Sequence, residues 1–241
     1  MRRFLLIFLA ISLHLFAGEP LEELVTLLGA PPKQWVQQGK ERWEFEMLGE
    51  DKREEILPLL ERLGFIDAID AAEKEYDYAV VHGSLYPTIK NRIAHLVLQY
   101  QQGVRFREIV LLTGQRLLEK TKLEKDLPFD TETEMVLYAW KTADLPVEMR
   151  KLPLTVIDAK GQNGRPTTKD TLLEWLKSNP TPGRCLMISN QPYVQYQDAL
   201  AKTCLTSDFI IETIGDRANE NMPMSVHLDN IGRFLWVKNG R

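Results

Sequence analysis

The sequence predicts an α/β protein: a doubly wound, mostly parallel five-stranded sheet in the order 3-2-1-4-5, with a helical extension at its N-terminus. Three observations carry this. Short apolar runs recur at residues 77–81, 108–112, 154–158, 185–188 and 209–214, with the composition of strands buried on both faces. Stretches with apolar residues at helical spacing separate them, as β-α-β units require. The first two runs end in a glycine beside a hydroxyl residue, His82-Gly83-Ser84 and Thr113-Gly114-Gln115, the form of turn found at the carboxyl edge of a parallel sheet. The order 3-2-1-4-5 sets the turns after the first and fourth strands side by side, so that Ser84 and Ser189 face one cleft.

The elements are justified in chain order. Arg2 and Arg3 precede an apolar run from Phe4 to Phe16, and Ala17-Gly18 supplies small residues, the pattern of a secretory signal peptide over residues 1–18. The run is short for a spanning helix, and the alternative is an uncleaved anchor. Cleavage near Gly18 or Glu19 leaves 28 basic against 34 acidic residues, a net charge of −6. With the whole chain at −4, general nucleic-acid binding is not expected. A chain of 241 residues, 44% hydrophobic and 27% charged, is long and apolar enough for one large domain with an extension.

Residues 19–75 form the extension. Leu21, Leu24, Val25 and Leu28 share a helix face that Gly29-Ala30-Pro31-Pro32 ends. Trp35, Trp43, Phe45 and Met47 follow in a mixed segment, whose aromatic residues are expected to pack against the sheet domain; the alternative is a ligand cage. Ile56, Leu57, Leu60 and Leu63 mark a second helix, with Gly64 as its C-cap. The α/β domain then spans 76–241. Its first strand leads into a helix from about Thr88 to Gln102, closed by Gly103. The second leads into a long polar connection, Thr113 to Phe129, and a helix from about Thr131 to Thr142 that opens with capping residues and acids. After the third strand, Gly161–Pro166 reads as a loop, and Thr167 or Thr168 caps a helix through Lys177. The fourth strand leads into a helix from about Tyr193 to Cys204. After the fifth, residues 215–225 read as loop and 227–237 as a closing helix.

Phosphate-loop, dinucleotide, zinc-protease and nucleophile-elbow motifs are missing from the sequence, and its four histidines do not form a metal pattern. The chemistry-bearing residues are those at strand ends: Gly83 and Ser84; Thr113 and Gly114; Arg165 and Thr168; Ser189 and Asn190. Backbone N–H groups, hydroxyls, amides and arginine forks converging on one edge suit a small anion of phosphate or sugar-phosphate type. The alternative is that these residues only cap helices. Glu134, one turn into a helix starting at the same edge, is the candidate general base, against the alternative of a solvated first-turn acid. Cys185 and Cys204, at the opposite edge, could form a disulfide in an oxidising compartment; otherwise they are buried thiols.

Taken in order, these features resemble the SanA/ElyC/YdcF-like family, a bacterial group with a Rossmann-like domain. The resemblance covers roughly residues 77–214. The glycine turn of that family corresponds to His82-Gly83-Ser84, its helix arginine to Arg92 in Asn91-Arg92-Ile93-Ala94, and its Ser/Thr-Gly-Gly turn to Thr113-Gly114-Gln115. Its Ser/Thr-Glu-Ala helix is similar to Thr133-Glu134-Met135, and its Asn-Thr-x-x-Asn start to Pro166–Thr171, here without either asparagine. The histidine that follows its fourth strand has no counterpart in Ser189–Tyr193. The resemblance implies an envelope-associated protein of cell-wall or surface-polysaccharide maintenance. Joined to the export signal and the strand-end residues, it gives the expectation of an exported protein that binds a phosphorylated or sugar-containing molecule, with hydrolase or transferase chemistry open to it. The departures favour the alternative of a non-catalytic binding or scaffold protein. One branch binds S-adenosylmethionine, a cofactor an exported chain would rarely meet; the cofactor is therefore open.

Overall fold

A computed structural model of the chain describes residues 18–40, 44–118, 120, 126–161 and 165–240. The signal segment up to residue 17, Trp43, the middle of the 113–129 connection and residues 162–164 of the loop after the third strand lie outside them. The chain divides into two compact units, one of residues 68–217 and one joining residues up to 67 with 218–241. The closing helix, placed with the sheet by the sequence reading, therefore belongs to the same unit as the N-terminal segment.

The larger unit holds the sheet. Its strands are β1 (Glu75–His82), β2 (Arg105–Gly114), β3 (Leu154–Ala159), β4 (Arg184–Asn190) and β5 (Ile210–Asp216), all parallel, in the order β3-β2-β1-β4-β5. The expected topology holds. Each strand runs one to three residues past its apolar run at one end or both, because ladder pairing continues through the polar residues at the edges. Thr113 pairs with Asp158, and Asn190 with Asp216.

The helices of this unit are α3 (Tyr86–Gln101), α4 (Glu132–Thr142), the single turn α5 (Val147–Arg150), α6 (Thr168–Lys177) and α7 (Val194–Cys204); α1 and α2 belong to the smaller unit. Side chains alternate along each strand, so each strand feeds two layers. Ala79, Val81, Ile109, Leu111, Leu186, Ile188 and Ile214 form one core with Ile89, Ile93 and Leu96 of α3 and Met135, Val136 and Ala139 of α4. On the other face Tyr78 meets Trp175 of α6 edge to face, and Trp175 in turn meets Phe209. The sheet is thus covered on both sides.

In the smaller unit, residues 18–28 are helical (α1), followed by α2 (Arg53–Arg62) and α8 (Met224–Lys238). Gly64 takes φ +76 and ends α2 in a left-handed cap, with the Phe65 N–H reaching back to the Leu60 carbonyl. Trp35 is fully buried with Leu24, Ile56, Leu60, Met224 and Leu228, so it packs within its own unit rather than against the sheet domain as expected; Met47 is largely exposed. The Glu50 carboxylate accepts the Met224 N–H and satisfies the start of α8. Among the described residues no helix is long and apolar enough to cross a membrane.

Candidate functional site

The turns after β1 and β4 lie on one edge of adjacent strands, since β1 pairs β4 in parallel with Val81 opposite Ile188. The residue that ties them is Arg92, one of the largest fully buried side chains, 1% exposed on α3. Its Nε donates to Asn190 Oδ1 (2.9 Å), and its Nη1 donates to the carbonyls of His82 and Gly83 (2.8 Å each). These are strand-end carbonyls with no next residue in the ladder, and a planar guanidinium is shaped to take several acceptors at once. The Asn190 amide closes the knot by donating to the Gln191 carbonyl (2.9 Å). Arg92, the counterpart of the helix arginine in the family resemblance and on that ground a candidate ligand-binding residue, makes these bonds to the protein.

The same edge continues onto β5. Asp216, the register partner of Asn190, ends that strand half-buried. Its Oδ1 is buried and makes no hydrogen bond among the described residues. Burial pushes its carboxyl above the ordinary range, partly offset by His95 and Arg92. His95, one turn beyond Arg92 on α3, is buried with its Nε2 4.0 Å from Asp70 Oδ1. Ser84, next to the Gly83 carbonyl that Arg92 holds, also has a buried, unbonded Oγ. His82 belongs to the opposite face by alternation. Its ring is buried and its pKa pushed down to about 3, first by desolvation and then by Arg92, so it is neutral.

On the β2 side, Gly83 meets a second buried pair. Arg116 Nε donates to Glu132 Oε2 at 2.8 Å, with both side chains largely buried. A Cβ on Gly83 would collide with Glu132 Oε1 and lie 2.6 Å from the Leu112 carbonyl. A glycine is therefore required here for close approach.

The remaining expected site residues fall into place as follows. Glu134 is the N3 residue of a capping box with Thr131: its Oε2 accepts the N–H groups of Asp130 (2.9 Å) and Thr131 (3.0 Å). Those bonds hold its carboxyl below the usual range. Thr113 donates to the Ile157 carbonyl and lies 2.7 Å from the Thr133 hydroxyl, which donates to Asp158. Gly114 admits Pro166, whose Cβ would stand 2.9 Å from an added Cβ. Arg165 is exposed. Thr168 opens α6, with Thr167 as the N-cap in a second capping box with Asp170. Ser189 is buried and donates to Gln197 of α7. The structure thus brings Gly83, Ser84, Arg92 and Asn190 together at the switch point, with Ser189 beneath them facing α7. Thr113, Gly114, Arg165 and Thr168 stand apart at the β2–β3 end.

Cys185 and Cys204 are free, which corrects the disulfide expectation. The reason is lateral: α7 packs chiefly over β5, so its end does not lie over the start of β4, where Cys185 is buried. Desolvation pushes the Cys185 thiol up to about 12.

Sequence reasoning passed over Asp216, Glu132 and His95. Among the described residues no group of three or more His, Cys, Asp or Glu could hold a metal ion. A groove of about 390 Å³ lies between α3 and α4, lined by Ile93, Val97, Leu98 and Ala139 among others; it is mostly apolar and is not built from these polar groups. Among the described residues, the buried side-chain atoms of the switch-point edge that make no hydrogen bond include Asp216 Oδ1, Ser84 Oγ and the Nε2 atoms of His82 and His95, beside two arginines that have protein partners. In comparisons with protein-family models, curated proteins and solved structures, no match to this chain is found.

Proposed function

We propose that residues 68–217 are a small-molecule binding domain of an exported, envelope-associated protein, distantly akin to the SanA/ElyC/YdcF-like group. The ligand is phosphorylated or sugar-containing and sits at the strand carboxyl ends around Gly83, Ser84, Asn190 and Asp216. The observation that carries the reading is the cluster of buried polar side chains at the junction of β1, β4 and β5. Among the described residues, Ser84 Oγ, Asp216 Oδ1 and the Nε2 atoms of His82 and His95 make no hydrogen bond, at the topological position where open α/β sheets take ligands. If the domain is a hydrolase or transferase, Asp216 is the group to move a proton, since a half-buried carboxyl with an elevated pKa suits general acid–base work. A non-catalytic role is favoured by a different observation: Thr113, Ser189 and Glu134 all spend their polar atoms on the fold.

The test is a nuclear magnetic resonance titration of the full mature chain with a set of phosphorylated and neutral sugars. Amide shifts concentrated at residues 83–84, 190–191 and 216 are expected. Shifts confined to the α3–α4 groove, or none, would overturn the site. Export is tested by N-terminal sequencing of native protein, which is expected to start near Gly18 or Glu19; an intact Met1 in a cytosolic fraction refutes it.

A further inference from the structure

The groove between α3 and α4 has a lining with a clear order. From α3 it takes Lys90, Ile93, Ala94, Val97, Leu98 and Gln101, a stripe at three- and four-residue spacing that covers about 16 Å of helix. The end of α4 supplies Ala139 and Ala143, with Asp144 just beyond. Both helices follow strands of one parallel sheet, so they run in the same direction. Along that direction Lys90 is the first lining residue on α3, and Asp144 is the last one after α4. Both are exposed, and neither is in an ion pair among the described residues. The Lys90 ammonium lies 5.7 Å from the centre of the Tyr86 ring. Lys141, also exposed on α4, does not line the groove. Apolar side chains stand open on the same face. Leu98 is 44% exposed within the stripe, and Tyr138 and Val147, which flank the α4 end of the groove in sequence, are 43% and 60% exposed. Ala94, one turn before Leu98, is exposed as well, so a small side chain stands next to a large one.

We infer that this face is the seam of a two-fold symmetric dimer, in which α3 packs antiparallel to the same helix of a second copy. An isologous contact presents the same patch twice with its ends exchanged. Lys90 then meets the partner's Asp144, and Asp144 meets the partner's Lys90. Leu98 falls beside the partner's Ala94, large against small, as helix packing requires. A purely apolar ligand would fill the floor and leave both charges unpaired. A second copy pairs both, because it carries the same two charges in the reverse order. A seam built on so short a stripe is small against the roughly 800 Å² per partner of a standard interface, so the association is weak and reversible.

The experiment is sedimentation velocity on the full mature chain over a concentration series. The sedimentation coefficient is expected to rise from that of a monomer to that of a dimer. Leu98→Glu places a carboxylate in the apolar seam and raises the midpoint concentration about tenfold or more. Lys90→Asp and Asp144→Lys, each alone, set like charges against each other and raise it as well. Mixing these two variants restores the dimer, since the mixed pair has opposite charges at both ends. Should Leu98→Glu not fold, the two charge variants, both at exposed positions, carry the test. A wild-type chain that is monomeric at its highest soluble concentration overturns the inference. So does a dimer that all three substitutions leave unchanged, which must use another face. A monomer whose Ala94 and Ala139 amides are shifted by octyl glucoside overturns it in favour of an apolar ligand. Every one of these outcomes leaves the reading of the switch-point edge untouched.

Discussion

Replacing Arg92 with methionine separates a structural clamp from a ligand-binding arginine. Methionine keeps most of the unbranched stem, so little packing is lost, and only the guanidinium is removed. Three hydrogen bonds go with it, at 2.8–2.9 Å, from a charged donor in a site 1% exposed. Bonds to charged groups contribute roughly 1.5–3 kcal/mol each, but three bonds from one group in one network are not additive. Breaking a buried charged network by removing one partner costs about 3–5 kcal/mol, and that is the expected loss. Two strand-end carbonyls and the Asn190 amide oxygen would be left without their partner, so the damage should be local to β1 and β4. The assay is urea unfolding combined with amide hydrogen exchange. Protection at Val81 and Ile188 should fall in step with the global loss, while amides of α2 and α8 change least. Arg92→Lys, with its charge but not its fork, should fall between. A loss below about 1 kcal/mol with normal exchange at Val81 and Ile188 would refute the clamp and return Arg92 to the role of a ligand arginine.

Other substitutions follow from the same geometry. Gly83→Ala forces a Cβ onto Glu132 and the Leu112 carbonyl, and should cost about 1–3 kcal/mol, measured as a lowered urea midpoint at unchanged slope. Asp216→Asn should stabilise the protein at neutral pH. A carboxyl whose folded pKa is raised stabilises most below its ordinary value and loses that contribution as pH rises through the folded value, so the variant's advantage should vanish near pH 4 and below in a pH series of unfolding curves. Glu134→Ala should lower the melting temperature slightly through loss of the capping box and leave ligand-induced shifts unchanged; abolished binding would restore it to the site. Unfolded, unreduced native protein should titrate two free thiols per chain, with Cys185 unreactive until unfolding.

The sheet was legible because its signals are local and repeated. Five apolar runs, each closed by small or polar residues and separated by helical periodicity, admit few topologies once right-handed crossovers are required. Strand ends were less legible, since His82, Thr113 and Asn190 owe their extended conformation to a neighbour's ladder rather than to their own propensity. Part of the site was readable and was missed. The spacing Thr131-x-x-Glu134 is itself a capping-box signature, which accounts for Glu134 and leaves Glu132 as the first-turn acid that pairs with Arg116. The rule that selected strand-end polar residues also selects Asp216, the last residue of β5, once it is applied to the fifth strand as well as the first four. The role of Arg92 was not readable by any such rule. An arginine ten residues past a strand end has the same sequence whether its donors find a ligand or the backbone. What decides between them is the path of α3, which crosses β1 toward β4 and β5 and so carries Arg92 onto Asn190 and His95 toward Asp216. That path is set by the packing of Ile89, Ile93 and Leu96 against Val81, Ile188 and Ile214. The polar groups that meet at the edge therefore depend on how an apolar helix face happens to sit on the sheet. The polar chemistry of the edge follows from the core beneath it.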